Sequence, residues 1–281
     1  MKKSCLSKFN IGIIQGRLLP RETHKYQSFP FKNWKREFEY SSMIKIKKIE
    51  WVFDLKNYKK NPIFFSEGIN SIKKCMSEYK VKIPSITVDY FMEKPFYKKK
   101  FFNHKRKIFR VLEKLFNNSK KIGVKYLVLP VLEKSSLSNK TEEKILINEI
   151  KKFLPLLKKN NQMILFETDL KPSKTYDFIN KFDKKYFGIN YDSGNSAGLN
   201  YNLNIEKKYF KSVKNVHLKD KLVNGPSVSL GQGKADLTKL FKILNKLNYK
   251  GNYILQTARA AKDQKKEILK NVRYLKNIKI K

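Results

Sequence analysis

A short apolar run, a polar turn and a longer segment with helical spacing follow one another eight times along this chain. That recurrence limits the fold more than any other feature. The apolar runs are FNIGIIQG (9–16), KKIEWVF (47–53), VKIPSITVD (81–89), VKYLVLPV (124–131), NQMILFET (161–168), YFGINYD (186–192), VKNVHLKD (213–220) and NYILQTA (252–258). Several are β-branched or aromatic and apolar on both faces, the pattern of parallel strands buried on both sides. The segments between them read as helices: NWKREFEYSSMIK capped by Asn33, SEGINSIKKCMSEYK opening at Ser66, KRKIFRVLEKLFNNSKKIG stopping at Gly123, and TEEKILINEIKKFLPLLKKN opening at Thr141 with a kink expected at Pro155. SKTYDFINKF, NIEKKYFKS, ADLTKLFKILNKLNY and AKDQKKEILKNVRYLKNI complete the set. Eight βα units without a linker-like break predict an α/β chain closed into a (β/α)8 barrel, one domain over residues 1–281. The rival is an open doubly wound sheet, which would carry GxGxxG after its first strand. GIIQGR does not fit that fingerprint.

Charge sets a second bound. Basic residues number 63 against 24 acidic, a net +39, which invites a nucleic-acid or anionic-membrane partner. Yet 56 of the 63 are lysine and seven are arginine, and the lysines run through the whole chain instead of forming a stripe. Proteins that read bases lean on the arginine fork. The chain is also rich in Asn, Ile, Phe and Tyr, so compositional drift over a solvated surface is the preferred reading of the charge, with a nucleic-acid footprint as the alternative. No specific nucleic acid is expected, although the field should still draw anionic substrates. Cys5 and Cys75 make no disulfide framework, MKKSCLSKFN lacks the apolar run of a signal peptide, and no stretch approaches the roughly 20 apolar residues of a membrane span. A cytoplasmic protein with no membrane partner is expected, with homo-oligomerisation left open.

In a barrel, chemistry sits at the C-terminal ends of the strands. There stand Gln15 and Arg17 after the first strand, Glu50 and Asp54 at the second, Asp89 at the third, and Glu167 and Asp169 at the fifth. Asp192 and Asn195 end the sixth, His217, Lys219 and Asp220 the seventh, and Gln256 and Arg259 the eighth. Glu167, Asp192, His217 and Gln256 thus terminate four consecutive strands, and neighbouring strands lie about 5 Å apart, so the four can converge. Two carboxylates, an imidazole and an amide carbonyl make an oxygen-rich set suited to one Mn²⁺, Mg²⁺, Co²⁺ or Zn²⁺ ion. Singly, each has a blander role: a strand-end aspartate commonly caps a turn, and a lone histidine is commonly structural. The set, in register with the barrel, carries the expectation.

NYDSGNSAG, NVHLKD and LGQGKADL in that order and spacing, with GIIQGRLLP, QSFPFKNWKREF, IEWVFD, IPSITVDYF, LFETDL and YILQTAR, resemble the xylose isomerase-like TIM barrels. This is the sugar phosphate isomerase/epimerase superfamily, which includes the AP endonuclease type 2 group, and the resemblance spans essentially the whole chain. It implies one divalent cation bound by the glutamate of strand five, the aspartate of six, the histidine of seven and the glutamate of eight, with the two glutamates moving a proton at the substrate carbon. Glu167, Asp192 and His217 inherit the ligand roles, and Gln256 departs from the pattern. Its amide oxygen can ligate a metal but cannot take a proton near neutral pH. Three readings follow. Glu167 works as a single base in an aldose–ketose isomerisation through a metal-stabilised enediolate; or Glu50 or Asp89 supplies the second proton of an epimerisation from across the mouth; or the barrel binds a sugar without turnover. A metal that polarises the carbonyl lets a carboxylate of moderately raised pKa serve as the base.

An anion end is expected beyond strands seven and eight, where many barrels hold phosphate. SLGQGKADL (229–237) sets two glycines before a helix start, with Lys219 and Arg259 nearby and Arg17 on the opposite side. The alternative for the glycines is a plain turn. Gln15 is placed to bond a sugar hydroxyl, and Asp89 and Asn195 complete the substrate-binding set. Trp34 and Trp51 are sugar-stacking walls or helix–sheet core, and DYFMEKPFYKKKFFNHKR (89–106) is a lid, a subunit contact or a core-flanking loop. The expected partner is a small sugar or sugar phosphate. The endonuclease branch, with its trinuclear zinc site, is disfavoured because the only histidines are His24, His104 and His217.

Overall fold

In the computed structural model, which describes residues 10–25, 27–260 and 263–278, eight parallel strands close on themselves. They are β1 (Ile11–Ile14), β2 (Ile49–Val52), β3 (Ser85–Thr87), β4 (Tyr126–Val131), β5 (Met163–Thr168), β6 (Phe187–Asp192), β7 (Val213–Leu218) and β8 (Asn252–Leu255), hydrogen-bonded in the order β1-β8-β7-β6-β5-β4-β3-β2. Each lies inside one of the predicted runs. A small antiparallel ribbon, Asp220–Lys221 with Ser227–Val228, follows β7. Every residue of β1, β2 and β8 is buried, as a strand must be when one face looks into the barrel and the other meets a helix.

The outer layer contains α1 (Trp34–Met43), α2 (Ser66–Tyr79), α3 (Lys105–Lys120), α4 (Lys140–Ile150), α5 (Leu154–Asn160), α6 (Pro172–Ile179), α7 (Leu237–Lys246) and α8 (Gln264–Asn277). Pro155 splits one predicted helix in two: it cannot continue the hydrogen-bond ladder but fits the first turn of a new helix, so α5 starts around it. Asn33 precedes α1 without capping it, because its side-chain amide donates instead to Glu22 Oε1 at 2.9 Å. At α4 the cap is Asn139, whose Oδ1 accepts from Glu142 N at 2.9 Å, and Thr141 is already inside the helix. NIEKKYFKS was expected to be a helix but forms only one α turn, Leu203–Glu206, and a 3₁₀ stretch, Lys207–Ser212. The Glu206 carboxylate is drawn into the core there, accepting from the hydroxyls of Tyr191, Ser196 and Tyr209 at 2.8–3.0 Å.

Trp51 is fully buried on the outer face of β2, with ring centroids 5.2 Å from Phe29 and 5.7 Å from Trp34. Both tryptophans are therefore helix–sheet core and not walls of the mouth; truncating Trp51 to Ala would cost about 3–5 kcal/mol. Residues 89–106 are anchored likewise, with Phe91, Phe96 and Tyr97 fully buried between a short helix, Asp89–Glu93, and a 3₁₀ turn, Lys99–His104. The aromatic residues of this segment flank the core, while Asp89, Met92 and Glu93 line the mouth. Cys75 is a buried free thiol, and Cys5 lies outside the described residues. Among the described residues no helix is long and apolar enough to cross a membrane.

Candidate active site

Parallel register sets Asp192 beside His217 across β6 and β7, at the C-terminal end of the barrel. One ligand atom each from Glu167, Asp192 and His217 lies within 4.8 Å of the others, and all three residues are buried. Both Glu167 oxygens are held by amides: Asn195 Nδ2 donates to Oε1 at 3.0 Å and Asn190 Nδ2 to Oε2 at 2.9 Å. Asp192 Oδ1 accepts from Asn195 N at 2.8 Å, and its Oδ2 lies 3.5 Å from Lys219 Nζ. His217 is fully enclosed and donates from Nε2 to Glu50 Oε1 at 2.6 Å. Its Nδ1 lies 3.1 Å from Glu167 Oε2 in an ion-pair contact and makes no hydrogen bond among the described residues. Burial pushes the His217 pKa down, but the Glu50 and Glu167 carboxylates outweigh it and hold it well above its usual value. Burial raises the Glu167 pKa, against the pull of His217.

Glu50 stands beneath this group, inside the barrel. It is fully buried, accepts from Ser85 Oγ at 2.7 Å and Asn215 Nδ2 at 2.9 Å, and does not line the cavity. Asn215 also donates to Asn190 Oδ1 at 2.7 Å, helped by a register shift at Ile189/Asn190 that brings the two asparagines opposite each other. Sequence reasoning missed Ser85, Asn190 and Asn215. The signal was there: Asn190 and Asn215 each stand two residues before a predicted ligand, on the same face of an otherwise apolar strand.

A cavity of about 320 Å³ opens beside these three residues, with Glu167, Asn195, Lys219 and Gln256 among its walls. The Gln256 Oε1 is buried and has no partner among the described residues. Five of the lining residues are acidic (Asp54, Asp89, Glu93, Glu133, Glu167) against three lysines (Lys25, Lys134, Lys219), so the mouth carries a formal charge opposite to that of the protein. Burial, with the charge of Glu167 adding to it, pushes Asp89 up to about 7. Volume alone does not select this site: cavities of about 370 and 390 Å³ lie elsewhere, beside Lys234 and Lys48 respectively. The mouth is distinguished by converging carboxylates and open ligand atoms. A divalent cation fits here: by displacing the proton on His217 Nδ1 it would gain an imidazole nitrogen that, with the amide oxygen of Gln256, completes a set begun by two carboxylates.

The expected anion end is not open. Asp220, fully buried, accepts from the backbone N–H of Gly231, Gly233 and Ala235, each at 2.9 Å. The nest read from LGQG is thus filled by the chain's own carboxylate, and a Cβ on Gly233 would come within 2.2 Å of Asp220 Oδ1. Arg17 is fully buried and donates from Nε to Thr257 O at 3.1 Å, and Gln15 is fully buried with its Oε1 accepting from Val52 N at 3.1 Å. Arg259 reaches toward Gly16 and the charge of Glu37. None of these three lines the cavity. Glu37 locks this side by accepting from Gly16 N at 2.8 and 3.0 Å, where the backbone has φ +76° and only glycine is comfortable. Burial pushes the Glu37 carboxyl up to about 7.

A family model described as xylose isomerase-like TIM barrel matches residues 42–278. The chain belongs to that family. No curated protein matches it significantly in sequence. Among solved structures, the 3-keto-D-glucoside 4-epimerase of E. coli is similar with a TM-score of 0.73 at 14% identity, covering 95% of this chain and 98% of that one. The D-psicose 3-epimerase of Clostridium cellulolyticum H10, solved with D-tagatose, gives 0.73 at 11% identity over 96% and 99%. A xylose isomerase-like TIM barrel protein of Mycobacterium smegmatis, solved with magnesium, gives 0.71 at 13% identity over 98% of both chains. At these identities the likeness is one of fold. This xylose isomerase-like barrel puts Gln256, the residue that departs from the sequence pattern, in the wall of the same cavity as Glu167.

Proposed function

We propose that the protein is a divalent-metal-dependent isomerase of free, unphosphorylated sugars. The observation that carries this reading is the convergence of Glu167, Asp192 and His217 with one open ring nitrogen beside an acidic cavity. The sugar epimerases among its structural relatives, and the magnesium in another, support it. Glu167, Asp192, His217 Nδ1 and Gln256 Oε1 would hold one Mn²⁺, Mg²⁺, Co²⁺ or Zn²⁺ ion, which supplies polarisation of the substrate carbonyl and neighbouring hydroxyl.

Glu167 is the base. Its raised pKa suits it to take the proton from the carbon beside the carbonyl and return it to the adjacent carbon. Asn190 and Asn195 fix the orientation of its two oxygens. Glu50 is a positioning residue: by engaging His217 Nε2 it leaves Nδ1 as the ligating nitrogen. Gln256 cannot carry a proton, so a single-base aldose–ketose isomerisation is the reaction these residues support best. One observation favours a second reading, epimerisation: Asp89 lines the same cavity, and a carboxyl pushed to about 7 can give or take a proton near neutral pH.

The unphosphorylated substrate follows from charge. Asp220 occupies the backbone nest, Arg17 and Arg259 stay outside the cavity, and the walls hold more carboxylates than lysines. The test is a panel of free and phosphorylated aldoses and ketoses with each of the four metals, following exchange of the substrate α-proton in D₂O. About one ion per chain and exchange with a free sugar are expected, and Glu167→Gln should reduce exchange at least about 100-fold with the fold intact. No bound ion and no exchange with any sugar would sink the proposal.

A further inference from the structure

The wall opposite the metal ligands has its own unused bonding capacity. Asp54 is only 4% exposed, at the end of β2, and lines the cavity. Its Oδ2 accepts from Phe29 N at 3.1 Å, while its Oδ1 is buried with no partner among the described residues. Gln27, in the segment after β1, repeats the arrangement. Its Nε2 donates to Gln15 O at 3.1 Å, which fixes the amide, and its Oε1 is buried, without a partner among the described residues, and on a residue of the same cavity. In each case the backbone pins one polar atom and the acceptor beside it is left open. A buried acceptor without a donor costs about 1–3 kcal/mol, so two of them on one wall point to a ligand. In the barrel order, β1 and β2 lie four strands round from β5 and β6, which carry Glu167 and Asp192.

We infer that Asp54 and Gln27 form a hydroxyl-binding subsite that grips the far end of a polyhydroxylated, uncharged ligand spanning the mouth from the Glu167–Asp192–His217 centre. The inference rests on the sugar reading above for the identity of the ligand. Two open acceptors need a donor-rich partner, and successive sugar hydroxyls supply donors at short spacing. A phosphate supplies acceptors and negative charge, and so offers little to two open acceptors.

Two measurements test this. The first is binding of a six-carbon alditol to the metal-free protein by ligand-observed NMR, which needs no proton transfer. The wild type should bind it, and Asp54→Asn and Gln27→Ala should each weaken binding about tenfold or more. Asp54→Asn keeps a carbonyl for Phe29 N, and Gln27→Ala offers an independent variant should the first fold poorly. The second is the KM and kcat of α-proton exchange. With a six-carbon ketose both variants should raise KM about tenfold and leave kcat within about threefold. With dihydroxyacetone, which has no far hydroxyls, they should match the wild type. Alditol binding that depends on Asp54, in a protein that exchanges no sugar proton, would uphold the subsite and reject the isomerase. Exchange by the wild type with unchanged KM in both folded variants would do the reverse. Absence of alditol binding by the wild type would overturn the subsite.

Discussion

The β5–β7 centre and the turn after β7 are built from the same materials at the same end of the barrel. Each has a buried carboxylate and neighbouring donors. In the first, Glu167 is held by two asparagines, yet His217 Nδ1 makes no hydrogen bond among the described residues, only an ion-pair contact with Glu167 at 3.1 Å. In the second, Asp220 takes three backbone N–H groups at 2.9 Å and leaves no room in the nest. Residue type and position nominated both as binding sites. What separates them is spare bonding capacity: a saturated cluster is scaffold, and an unsaturated buried one needs an explanation.

Asp220→Ala breaks the comparison most directly. Losing three charge-assisted hydrogen bonds at a half-exposed turn should cost about 3 kcal/mol in urea unfolding. The emptied nest should then gain affinity for anions, so inorganic phosphate should raise the thermal midpoint of the variant and not that of the wild type. Equal phosphate responses would mean that Asp220 does not block the nest.

Glu37 and Asp89 extend the contrast to pH, since both carboxyls are pushed to about 7, one locked in the β1 turn and one facing the cavity. For Glu37 the folded value exceeds the model-compound value of 4.5, so the native state binds more protons than the unfolded one between those limits. Stability from this group is present below pH 4.5 and is lost as pH rises toward 7, by about 3 kcal/mol. Glu37→Gln should flatten that fall in a series of urea midpoints; parallel profiles for the two proteins would remove Glu37 as its source.

Glu50→Gln sharpens the metal side. Weakening the bond to His217 Nε2 should lower affinity for Mn²⁺ or Co²⁺ about 10–100-fold by calorimetry, and change the Co²⁺ visible spectrum, whereas Glu167→Gln removes a ligand and the base together. An unaltered affinity and spectrum would leave Glu50 a purely structural residue. The smallest effect belongs to the rim. Glu93 bridges Lys25 at 3.5 Å and Lys134 at 3.3 Å, but the Lys134 side chain is 70% exposed. Glu93→Ala should shift stability by less than about 1 kcal/mol, fading with salt.

The eight strands were legible because their signal is local. A run such as MILFET or FGINYD declares a buried parallel strand from its own composition, and parallel register then puts successive strand ends at one mouth. Glu167, Asp192 and His217 could be named on that basis, and the structure brings them together. The short helical turns after β6 were misread because helical spacing in NIEKKYFKS is also local, whereas the capture of Glu206 by Tyr191 depends on a contact across the fold.

By itself, then, the sequence determined the strand count, the closed barrel and the convergence of Glu167, Asp192 and His217, because periodicity and chain order suffice for these. Only the tertiary structure decided which polar groups remain available. Asp220 meets Gly231 eleven residues on, Glu37 meets Gly16 across 21, and Arg17 meets Thr257 across 240. Whether a donor or acceptor is spent depends on neighbours that distant in the chain, and no pattern local to the residue records them.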